Sequence, residues 1–132
     1  ILTFSTAYAE QYYLSMACGM FLAAVSWYFF PAGTERTNPD GPRVLEKIVS
    51  WVYHHDKRQN AFPSSHVFTA TLSAHYLALA FPELSLVWWA MGLTIAASTL
   101  FMKQHYIIDV IVGFAWVPLS IFVAQFILAL LG

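Results

Sequence analysis

Two short stretches carry the residues best suited to chemistry. "PSSH" (Pro63–His66) sets a histidine at the start of an apolar run, and "HYIID" (His105–Asp109) sets a second histidine four positions before an aspartate. Residues four apart are neighbours on one face of a helix. A carboxylate so placed accepts the proton of one imidazole nitrogen, fixes the tautomer and raises the basicity of the other nitrogen. His105 and Asp109 thus have the spacing of an oriented nucleophile or base, although a simple capping pair has it too. Proline suits the first turn of a helix, Ser64 or Ser65 can cap it, and the N–H groups beyond the cap attract an anion. A serine-capped helix start with no ligand has the same composition. Two histidines, a carboxylate and a helix N-terminus together are what phosphoryl transfer without a metal needs.

Such a site requires elements that bring positions 66 and 105 together. The chain has 132 residues, 59% hydrophobic and 10% charged, against about 45–50% and 25% in soluble domains. A soluble domain this small has too little interior for that much apolar surface. The reading is therefore an all-α integral membrane bundle, a single domain over residues 1–132, with about four transmembrane helices. Tyr12–Phe30, Ser65–Phe81, Leu86–Met102 and Tyr106–Leu131 are the apolar segments, the last bent near Pro118. "FPELS" (Phe81–Ser85) is the turn between the second and third. Residues 31–60 form the polar region, and within it Val44–Tyr53 has the apolar spacing of a short amphipathic helix at the interface. The second helix leaves the face on which that loop lies, and the third returns to it. His66 and His105 should then end at similar depth. An ionisable residue at a membrane span is functional by default.

"PSSH" followed by "S-x6-H-x3-D" resembles the second and third signature motifs of the type 2 phosphatidic acid phosphatase/haloperoxidase superfamily. "KQHYIIDVIVG" is similar to its inositolphosphotransferase-like branch, which includes inositol phosphorylceramide synthases. The resemblance covers roughly Pro31 to Trp116. It implies that His105 attacks phosphorus to give a phosphohistidine, that Asp109 orients it, and that His66 protonates the leaving alkoxide. Ser64 and the backbone around Ser65 and His66 match phosphate ligands, and neither metal nor cofactor is implied. Three positions depart from the pattern: Ser65 stands for the usual glycine, Thr99 for an arginine, and the first motif is altered. Arg36-x6-Arg43 has that motif's spacing, but Val44 follows it where the family has proline. Lys103 is placed to replace the lost charge. A family core of six spans, set against four here, raises the expectation that helices before Ile1 are missing.

The remaining polar residues read more plainly. Cys18 is a small core hydrophobe, and His75 a hydrogen-bonded bundle residue out of phase with His66. His54 and His55 suit surface contacts better than metal ligation. Trp88, Trp89 and Phe81 form an aromatic belt at the opposite face. A net charge of −1 without a basic block argues against nucleic acid. The expected function is hydrolysis of a lipid phosphate or phospholipid through a phosphohistidine. One alternative passes the group to an alcohol, with Asp40, Asp56 and Asn60 of the polar loop available to bind a polyol. Another, of a different class, is a non-catalytic membrane scaffold with a degenerate site. A vanadium haloperoxidase ranks below these, because such enzymes are soluble and need a full set of cationic ligands. The basic residues Arg36, Arg43, Lys47, Lys57, Arg58 and Lys103 all fall on the catalytic face, which the positive-inside rule would make cytoplasmic. The resemblance implies an extracytoplasmic or luminal site instead, and this is the orientation we expect.

Overall fold

The computed structural model describes residues 2–33, 39, 41–55, 62–102 and 105–131. They form five α-helices: α1 (Leu2–Phe29), α2 (Val44–His55), α3 (Ser65–Ala80), α4 (Ser85–Phe101) and α5 (Ile107–Leu131). No β-strand occurs among the described residues. A single 3-10 turn, Pro82–Leu84, joins α3 to α4 where a tight turn was expected. The opening residues belong to α1, which makes that helix 28 residues long. Pro118 lies inside α5 without ending it.

Three segments are long and apolar enough to cross a membrane: Tyr8–Phe29, Pro82–Phe101 and Ile107–Leu131. The second of the four expected spans, α3, has 16 residues and reaches about 24 Å against a hydrocarbon core of about 30 Å, yet with the 3-10 turn it carries the chain from the His66 end to the start of α4. It is the central helix, packed against α1, α4 and α5. Six of its side chains are buried, among them Val67, Phe68 and Leu72. Phe68, Leu72, Tyr76 and Val117 form one core cluster, flanked by Met16 and Trp116; Val67, Ala96 and Val110 form another. Tyr12 and Ser15 of α1 hydrogen-bond Ser73 and Tyr76 of α3 at 3.0 and 3.1 Å. Polar contacts of this kind hold helices together where lipid removes the hydrophobic drive for association.

The outer surface is greasy. Phe21, Leu86, Phe101 and Phe122 are each about two-thirds exposed or more. Leaving side chains of this size in water forgoes roughly 1.5–3 kcal/mol each, so the bundle is built for a lipid surround. α2 also matches its expectation: it buries no residue, and Leu45, Ile48 and Trp51 stay exposed along it. Tyr53 ties it to the end of α4 by donating to the Met102 carbonyl at 2.8 Å.

Candidate active site

The site begins with the start of α3. Ser64 is the N-cap, extended in backbone, and its hydroxyl accepts from the Val67 N–H at 3.3 Å. Pro63 and Ser64 are both fully buried. The Ser64 hydroxyl is thus engaged with its own helix, and Ser65, half-buried, presents the more open side chain. His66 is exposed at the mouth.

α5 supplies the second half. Asp109 occupies its first turn, and its Oδ2 accepts from the Tyr106 N–H at 2.8 Å. This is one half of a capping box, and Glu46 does the same for the Arg43 N–H at the start of α2. The same Asp109 oxygen lies 3.7 Å from Nδ1 of His105, and both residues are buried. The carboxylate oxygen that caps α5 is therefore also the one nearest the His105 ring. The 3.7 Å separation is an ion-pair distance rather than a hydrogen bond.

With Nδ1 turned to Asp109, Nε2 of His105 faces outward, 3.4 Å from Nδ1 of His66. The two rings lie 5.6 Å apart at 59°. The expectation that positions 66 and 105 meet at one depth is met by direct contact. Two further contacts hold the halves together. The Ser64 N–H donates to the Asp109 carbonyl at 3.3 Å. Gly113, one turn beyond Asp109, lets α5 press on α3: a Cβ there would meet the Ser64 carbonyl and the Val67 Cβ, each at 3.0 Å. Sequence reading did not single out Gly113, although its place four residues after Asp109 was a signal for it.

Of the cations expected to bind phosphate, Arg43 is described. Arg43 caps α2 with its backbone and its side chain is exposed. Arg36 and Lys103 lie outside the described residues, as do Asp40, Asp56 and Asn60. Thr99, at the position of the missing arginine, is buried and donates to the Ala96 carbonyl at 2.8 Å, so it fills space inside the bundle. His75 points elsewhere, its ring edge against Tyr76 at 5.2 Å. His55 is exposed on α2, bonded to the Trp51 carbonyl at 2.8 Å.

The arrangement is a row of three side chains, Asp109, His105 and His66. A buried carboxylate backs one imidazole, whose other nitrogen meets a second, exposed imidazole at a helix N-terminus. In comparisons with known proteins, residues 11–130 match the family described as the PAP2 superfamily. No curated protein and no solved structure matches the chain.

Proposed function

The chain belongs to the PAP2 superfamily, and from that premise we propose that it hydrolyses a lipid phosphate through a phosphohistidine on His105. Membership suggests a phosphatase or phosphotransferase type of phosphoesterase at a membrane. The observation that carries the finer reading is the line Asp109–His105–His66, with Nε2 of His105 aimed at the second ring. The Nε2 lone pair attacks phosphorus, the bond from phosphorus to the ester oxygen breaks, and that oxygen takes its proton from His66. Water then attacks from the side opposite Nε2 and gives its proton to His66, and the P–N bond breaks to release phosphate. Phosphorus must enter where the two rings now touch. His66, the exposed member, is the ring that yields. Charge on the phosphoryl oxygens is met by N–H groups at the start of α3 and by Ser65, with Ser64, Arg43, Arg36 and Lys103 as further candidates from the motif pattern.

Transfer to an alcohol is the second reading. A 470 Å³ depression beside α2, lined by Lys47, Ser50 and His54 among others, is polar enough to hold a hydroxylated acceptor. The primary test is release of phosphate from phosphatidic acid by the purified protein in detergent, inhibited by vanadate. No release, or release insensitive to vanadate, would sink the phosphohistidine mechanism. Diversion of labelled phosphoryl groups into a new ester when inositol or another alcohol is supplied would replace hydrolysis with transfer.

A further inference from the structure

A groove of 320 Å³ starts at His66 and runs down the bundle between α1, α3 and α4. On α3 it is lined by His66, Thr69, Ala70, Ser73, Ala74 and Leu77. These step by three or four residues, so they form one continuous stripe of the helix. From His66 to Leu77 the stripe descends about 16 Å. Met16 walls it on α1 and Ile95 on α4. Gly92 lets α4 come close beside it, since a Cβ there would meet the Ala74 Cβ at 3.0 Å and the Ala70 carbonyl at 3.2 Å. Among the described residues, His66 is the only ionisable side chain in the lining apart from the Tyr12 phenol. Trp88, on the first turn of α4, lines the far end. Its indole N–H is buried without a hydrogen-bond partner among the described residues, and it ends the apolar descent with a donor.

We propose that this groove holds the hydrocarbon chain of the substrate, and that its depth below His66 sets which chain lengths are preferred. The proposal rests on the phosphoesterase reading above and adds the part of the substrate which that reading leaves unplaced. The leaving oxygen sits on the His66 side of phosphorus, because His66 protonates it. The chain-bearing part of a lipid phosphate begins at that oxygen, and the groove begins at that residue. Its volume is at the low end of the roughly 300–1,000 Å³ common for ligand pockets, which suits one chain rather than two.

The test measures kcat/KM for dihexanoyl, dioctanoyl and dipalmitoyl phosphatidic acid in mixed micelles, each relative to an aryl phosphate that carries no chain. Ala70→Phe fills the groove about one turn below His66, and Leu77→Trp fills it about three turns below. Ala97→Phe, on the exposed side of α4, is the control for added bulk. A chain kept out of the groove stays in the micelle hydrocarbon and loses only its packing against the groove wall, at about 0.1–0.2 kcal/mol per atom pair, so blocking several methylenes lowers the ratio roughly tenfold. Ala70→Phe should lower it for dioctanoyl and dipalmitoyl substrates, and Leu77→Trp for dipalmitoyl alone. An unchanged chain-length profile in both variants overturns the proposal, as does an equal loss on all three lipids in Leu77→Trp. If Ala70→Phe does not fold, Leu77→Trp carries the test by itself, because it lies far from the catalytic pair. Wild-type protein inert toward every ester would count against the phosphoesterase reading instead.

Discussion

At the scale of single residues, the site rests on two histidines with different surroundings. His105 is buried beside Asp109, whereas His66 is exposed and has no carboxylate against it among the described residues. That asymmetry supports the proposed division into nucleophile and acid, and it can be tested. His105→Ala should abolish the acid-labile phosphoenzyme with every substrate. His66→Ala should slow esters with poor leaving groups by roughly 100-fold or more, yet spare an activated aryl phosphate, which needs little protonation. Equal losses on both ester types would refute the division of labour. Asp109→Asn keeps an acceptor for the Tyr106 N–H but removes the charge facing His105. Its expected signature is a near-normal melting temperature with a large fall in kcat. These residues were legible in the sequence because ionisable groups are costly in an apolar chain and therefore few. The role of Ser64 was less legible. Two adjacent serines at a helix start look alike on paper, and only the backbone shows that Ser64 takes the cap.

At the scale of elements, the site depends on how closely α5 approaches the start of α3. The contact is made by backbone and by a glycine, which periodicity does not report. Gly113→Ala brings a methyl against the Ser64 carbonyl and Val67, and overpacking of this sort costs about 1–3 kcal/mol. The larger effect should be on rate, because α5 carries Asp109, and His105 just before its start, relative to His66, and a shift of about 1 Å can lower a rate roughly 100-fold. A kcat loss no greater than that of an equally destabilised variant elsewhere would show that the contact serves stability alone. Ser64→Ala tests the other end of the same junction. Loss of an N-cap should lower stability by about 1 kcal/mol, measured by thermal unfolding in detergent, while Ser65→Ala should raise KM with stability unchanged. The helices themselves were well anticipated, since uncharged stretches bounded by Pro, Gly and polar residues leave few other readings. The central place of α3 was less legible, because composition does not report which of several apolar helices the others enclose.

For the whole molecule, the open question is which side of the membrane the site faces, and the two arguments from sequence conflict. All six basic residues lie in the loop that holds α2 or in the short stretch between α4 and α5, so by charge alone this face is cytoplasmic. That rule assumes the charges are free to act on insertion and topology. Here several are candidates for binding phosphate, and a site that must hold an anion gathers cations whichever way it faces. The family resemblance points outward, and with the rule compromised it has the greater weight. The described fold supplies reporters at both ends: Pro42 is exposed just before α2, and Glu83 is exposed in the turn between α3 and α4. In a Cys18→Ala background, Pro42→Cys should react with an impermeant maleimide on intact cells, and Glu83→Cys only after lysis. The reverse pattern would put the catalytic face in the cytoplasm and restore the charge rule. Because α3 and α4 join at Glu83 while His66 and His105 meet at the other end of those helices, a single pair of labels fixes the side from which the lipid head group is attacked.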